Sequence, residues 1–427
     1  MLTDRTYKLL AFHFRLASFV HAQPFKWEAQ AGISSLKFPR MFIYYAGNII
    51  STVLTLWQLN VILQGISSGR RNLSMLLLDV TFGLAHVSGC FFQLQLCQNT
   101  ELMAGLLNHL FFFDKTFTIK YCSADRTGRN HLKVKVVDGK HVNRNGKQKH
   151  EGNSATAHFK RWFEMANAGK HILERTPQKS ISDKCEVIVG MVFCPITYSF
   201  LVLGLFLLNP EDARYLYSFF PKTSKSTLTL YLWSFVEVMH ILKYCLVFNT
   251  MLFIIMIYAR STIFWLFQLS GSDTKINIVV TKPPDKSEAI KNYKIFQVMN
   301  AHFNHCYSKI GLPAFKTLNI ALHVLAIFVT ITFYGRIPLA GYLIFPMGNF
   351  MWFFIEADMY PLLGQINYSS KNYLSSWKLQ LGKETRRDFR SMFPLGVQVS
   401  IVNSIDRSTV LNLWSVILTL VINLILI

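Results

Sequence analysis

The chain has 427 residues, 51% of them hydrophobic and only 16% charged, where a soluble domain carries roughly a quarter. Thirty-six phenylalanines and a mean hydropathy of +0.28 place it among polytopic membrane proteins rather than soluble enzymes. The net charge of +21 comes without an aromatic-interleaved basic motif, so it reads as basic cytoplasmic loops and excludes nucleic acid as a partner.

Residues 1–40 form a cytoplasmic N-terminal segment. Lys8, His13 and Arg15 break its apolar run, so it is not a secretory signal. Seven stretches then reach membrane length, about 20 mostly apolar residues each. They are 41–65, 74–98, 186–208, 226–259, 313–335, 338–363 and 408–427. The fourth is too long for one crossing, and with no turn residue inside it, its tail continues as helix beyond the membrane. With the N-terminus inside, the inner segments hold 36 Lys and Arg against 6 outside. The positive-inside rule therefore predicts an all-α, seven-span protein in the plasma membrane, N-terminus in and C-terminus out.

Between the spans, residues 121–157 are basic, polar and without helical period, and read as a disordered insertion. Its histidines at 131, 141 and 150 fit no metal template, and no metal or cofactor is expected. The other inner connections read as amphipathic helices. In "KSEAIKNYKIFQVMNAHFNHCYSKIG", Ile290, Tyr293, Phe296 and Phe303 fall at near-helical spacing. Leu374, Trp377, Leu381 and Phe389 do the same. Such helices either pack together as a cytoplasmic anchor or lie on the bilayer surface.

Ionisable groups inside spans need a physical reason, because each costs at least ~2.5–3.5 kcal/mol at the bilayer centre. Glu237, His240 and Lys243 share a broad face of span four. His86 lies in span two and His323 in span five. They form either the polar base of a ligand cavity or structural pairs that fix helix packing. Lys316 and Glu356 sit near the inner face, where snorkelling suffices. Pro338, Gly341, Pro346 and Gly348 loosen span six. Its aromatics, Tyr342 among them, read as packing or as a ligand box. His86, Glu237, His240 and Tyr342 are the ligand-binding candidates.

The final span, "STVLNLWSVILTLVINLILI", places Ser408, Asn412, Ser415, Thr419 and Asn423 at steps of four, three, four and four. That is one polar face of a helix inside a membrane. It either bonds to neighbouring helices or, contributed by several subunits, surrounds a water-filled path.

The segment "RSMFPLGVQVSIVNSIDRSTVLNLWSVILTLVINLILI" resembles the C-terminal signature of insect gustatory and odorant receptors. Ser391, Pro394–Leu395, Thr409 and Thr419 match it, and "LLNHLFFFD" looks like that superfamily's helix after the second span. Leu420 and Leu426 stand where the signature has tyrosine and glutamine. The resemblance implies a chemosensory receptor acting as a ligand-gated cation channel, not an enzyme. It implies a tetramer, of this chain or with related subunits, in membrane lipid. It also implies a small-molecule ligand held among spans two to six and a pore lined by Asn412, Ser415, Thr419, Asn423 and Leu426. A secondary transporter with a midplane polar site and a non-conducting receptor or scaffold are the alternatives.

Overall fold

The computed structural model describes residues 4–28, 32–37, 40–69, 72–122, 185–212, 215–270, 284–337, 339–380, 387, 389–400 and 403–426. The insertion expected at 121–157 lies almost wholly outside these residues. Ten helices form among them. They are α1 (Asp4–Phe19), α2 (Arg40–Ser68), α3 (Leu73–Gln98), α4 (Thr100–Cys122), α5 (Cys185–Leu208), α6 (Thr227–Gln268), α7 (Lys286–Tyr307), α8 (Gly311–Thr332), α9 (Leu339–Gln380) and α10 (Thr409–Leu426).

The chain is all-α, as expected, with one short exception. An antiparallel hairpin, β1 (Phe25–Glu28) with β2 (Gly32–Ser35), follows α1. It forms because Asn108 on α4 closes the free side of β2, giving its carboxamide to both the N–H and the C=O of Ile33 at 2.9 and 2.7 Å. Leu10, Phe14, Phe25 and Trp27 carry α1 and the hairpin into the main apolar core.

Among the described residues five helices, α2, α3, α6, α8 and α10, are long and apolar enough to cross a membrane. Helix α5 and the first part of α9 occupy the two other expected stretches. The chain is a multi-pass membrane protein. Helix α6 is continuous for 42 residues and starts at Ser226, whose hydroxyl accepts the Thr229 N–H at 3.2 Å. Helix α9 also runs 42 residues, straight through Pro346 and Pro361. The loosening expected of span six does not interrupt the helix, which packs against α6, α8 and α10.

Beyond Leu246, α6 enters a dense layer with α4, α7 and the far half of α9. Tyr258 stacks on Phe303 at 4.0 Å and donates its hydroxyl to Asn300 at 2.7 Å. Trp265 donates to Asp114 at 2.7 Å, and Trp377 to the Leu269 carbonyl at 3.1 Å. The segment carrying Pro394–Leu395 has no regular secondary structure. Its carbonyls are taken up by side chains: Asn367 bonds Leu395 O at 2.8 Å, and Asn300 and Asn304 both bond Gly396 O. The amphipathic connections therefore pack on each other, and do not lie singly on a bilayer surface.

Two glycines set close approaches. A Cβ at Gly89 would collide with the Tyr244 ring, and one at Gly364 with the backbone of Asp406 and Arg407. The second brings the start of α10 against α9.

Candidate functional site

Helices α3, α5, α6, α8 and α9 enclose a cavity of about 120 Å³. Its walls are mostly apolar: Phe92, Ile241, Phe248, Leu322, Ala326, Phe345, Met351 and Trp352. Phe248 meets Trp352 edge to face at 5.3 Å and stacks on Phe315 at 5.6 Å, which fixes one end of the wall. The polar lining is sparse and comes from Thr81, His86, Ser88, Tyr198, Tyr244 and Asn249. Thr81 and Ser88 donate back to their own helix, to Leu77 O and Leu84 O, both at 2.8 Å. Tyr244 directs its hydroxyl to Ser51 O at 3.0 Å and presents its ring. A mostly apolar pocket with a few polar groups suits a small organic molecule.

Of the four ligand candidates, His86 lines this cavity. His240 stands behind it, with its Nε2 3.2 Å from His86 Nδ1, so one imidazole donates and the other accepts. Glu237 lies one turn away on α6, half-buried and off the lining. Tyr342 is also off the lining: its hydroxyl donates to Thr330 O at 2.9 Å and its ring meets Tyr334 edge to face. Phe248, Asn249 and Tyr198 also line the cavity and are not among the candidates that the sequence marks. Asn249, an amide within an otherwise apolar stretch of span four, was the one signal available for them.

Glu356 needs a correction. It does not snorkel to a surface but is fully buried. One carboxylate oxygen accepts from Asn319 at 3.0 Å; the other faces His323 Nδ1 and accepts from Trp414, both at 3.0 Å. His323 Nε2 lies 2.7 Å from Asn349 Oδ1. A carboxylate inside the bundle is tolerable because every neighbour is a donor. The group joins α8, α9 and α10. Asn349 sits between Gly348 and Met351 of the cavity wall, and Trp414 stacks on Phe353 at 5.1 Å, so the network runs from the cavity to the last helix.

Helix α10 packs on α8 and α9 through buried Val410, Leu413, Ile417 and Val421 together with Trp414. Asn412, Ser415, Thr419, Asn423 and Leu426 are all exposed. Thr419 donates to Ser415 O at 2.8 Å within its own helix. Asp406 starts the helix: the hydroxyls of Thr409 and Ser408 donate to its carboxylate at 2.8 and 2.9 Å and hold its pKa below the ordinary carboxylate value.

No protein-family model matches this chain, and no curated protein matches its sequence. Its shape is matched. The olfactory receptor OR5 of the insect Machilis hrabei, solved in complex with eugenol, superposes with a TM-score of 0.50 at 12% identity, covering 99% of each chain. A second structure of the same receptor gives 0.51 at 12% identity over 98% of each chain. The chain has the insect olfactory receptor fold. Within that fold the Glu356 network links the cavity wall to Trp414 on the packed side of α10.

Proposed function

We propose that this chain is a chemosensory receptor of the plasma membrane that acts as a ligand-gated cation channel. A small organic molecule binds in the cavity between α3, α5, α6, α8 and α9. Four subunits, identical or related, bring their α10 helices together around a pore. The N-terminus and the α4–α7 layer lie on the cytoplasmic side, as the distribution of Lys and Arg favours.

The observation that carries this reading is the two-sided character of α10. Its apolar row is buried against its own subunit, while Asn412, Ser415, Thr419 and Asn423 remain exposed along the helix. Polar side chains facing lipid would be unfavourable, whereas facing a shared aqueous path they are solvated. The fold match to a receptor solved with eugenol supports a small-molecule ligand. The Glu356 junction supports the coupling, because any shift of α9 on ligand binding acts directly on Trp414. Ligand binding then changes the populations of closed and open arrangements of α10.

Recording from cells that express the chain tests this. An odorant panel evokes cation currents, and Asn423→Leu and Leu426→Gln change conductance or selectivity. Evoked currents that ignore both substitutions remove these residues from the pore. A strict monomer in detergent and in lipid removes the shared pore.

A further inference from the structure

The cavity between α3, α5, α6, α8 and α9 has one imidazole in its wall among the described residues. His86 is 2% exposed and lines it. Its Nδ1 is engaged with His240 Nε2 at 3.2 Å, and among the described residues its Nε2 has no hydrogen-bond partner. Tyr244 meets the His86 ring edge to face at 5.0 Å, and the His240 ring also lies 5.0 Å away, so two neighbours on α6 hold the imidazole in place. A buried ring nitrogen left unpaired costs stability, and a partner that enters the cavity recovers it.

The rest of the lining narrows what that partner is. Among the described residues no Asp, Glu, Lys or Arg lines the cavity. An ionised carboxylate or amine would lie there without a counter-charge, which is strongly unfavourable. A sugar would bury many hydroxyls that the lining cannot pair. Thr81 and Ser88 already give their protons to Leu77 O and Leu84 O, and Tyr244 gives its own to Ser51 O. Tyr198 and Asn249 also have interactions of their own. Size is limiting too. The cavity is about 120 Å³, and an apolar cavity of about 150 Å³ holds benzene. Phe92 and Phe248 lie 5.6 Å apart, and Phe248 stands edge to face with Trp352 at 5.3 Å. A ring packs favourably against such walls.

We propose that the ligand is an uncharged compound of one ring bearing a single hydroxyl, and that His86 Nε2 selects it by bonding that hydroxyl. A hydroxyl both donates and accepts, so it serves whichever tautomer the bond to His240 leaves on His86; an ether or a ketone serves only one. The inference rests on the cavity being the ligand site, and adds to it the class of molecule and the residue that discriminates.

The test measures equilibrium binding to the full chain in lipid nanodiscs by calorimetry, with benzyl alcohol, toluene, benzoate and glucose as probes. Wild type binds benzyl alcohol and toluene, and neither benzoate nor glucose. In His86→Leu the affinity for benzyl alcohol relative to toluene falls roughly tenfold, the loss of one hydrogen bond. Comparing the two proteins cancels each probe's partition into lipid. His86→Gln, which keeps a bonding amide, restores part of the preference. A ratio unchanged in His86→Leu overturns the role of His86, and benzoate or glucose bound as tightly as benzyl alcohol overturns the class. If His86→Leu does not fold, histidine-labelled wild type decides: an imidazole nitrogen resonance moves with benzyl alcohol and not with toluene, and the absence of that difference overturns the proposal. Wild type that binds no probe removes the cavity as the ligand site together with this inference; binding without preference removes the inference alone. None of these readouts is a current, so failure here is also distinct from failure of the channel.

Discussion

The two halves of α6 differ sharply. From Leu246 to Ala259 nearly every residue is buried, whichever way it faces, because α1, α4 and α7 surround that part of the helix. From Leu228 to Val236 five large apolar side chains stand exposed, and the helix is covered on one side only. The first half has the lipid-facing pattern of a membrane span; the second has the all-round pattern of a soluble core. Between them, at Ile241 to Asn249, lies the cavity. A ligand site at this seam has the dense half on one side and the sparsely packed half on the other.

The dense half is the place to break the molecule. Trp265→Ala removes a fully buried indole and the donor to Asp114, for a loss of about 3–5 kcal/mol. Size-exclusion profiles are expected to show aggregated or absent protein. Acid attacks the same half through His13, which is buried against Phe253 and bonded to Thr250 at 2.9 Å. Burial pushes its pKa down from 6.5 to about 3. The folded state therefore binds the proton less well than the unfolded chain. Stability is whole above pH 6.5 and falls as pH drops toward about 3, by on the order of 2–3 kcal/mol two units below the ordinary value. Melting curves at neutral and acid pH, compared between wild type and His13→Gln, check this; the variant is expected to show the smaller pH difference.

The open half is expected to respond in function before it responds in stability. Trp414→Phe keeps the ring on Phe353 and removes the N–H that Glu356 accepts, a cost of about 1.5–3 kcal/mol. A lower melting midpoint together with a displaced ligand dose–response curve is the expected result; an unmoved curve separates α10 from the cavity. Gly348→Val is the mildest. A Cβ there meets nothing within 4 Å, so stability changes by less than about 1 kcal/mol. The added bulk enters the cavity wall, and the response to the largest active ligands is expected to fall first.

The same division explains what could be read from the sequence. The spans are visible because lipid-facing helices need about 20 apolar residues, whatever their partners. The row on α10 is visible because helical period and polarity are local properties. The amphipathic spacing of Tyr293, Phe296 and Phe303 fitted a packed layer and a surface-lying helix equally, and the rings of Tyr258 and Tyr373 decide for the layer. What could not be read depends on who faces whom. Glu356 has no sequence mark that separates a snorkelling carboxylate from a buried one; only Asn319, His323 and Trp414, 33 to 58 residues away along the chain, make the difference. Phe248 and Trp352 become a cavity wall through tertiary packing alone. The hairpin at Phe25–Ser35 escaped because its closing partner, Asn108, lies on another element.

The narrow seat of α10 has a consequence for descent. Four aliphatic side chains and one indole hold the helix to its subunit, and only those positions answer to the fold. Leu420 and Leu426, where related signatures carry tyrosine and glutamine, lie among the others. Those positions can be rewritten by mutation without unfolding a single subunit, so lineages sharing this architecture are free to diversify there while the scaffold beneath stays put.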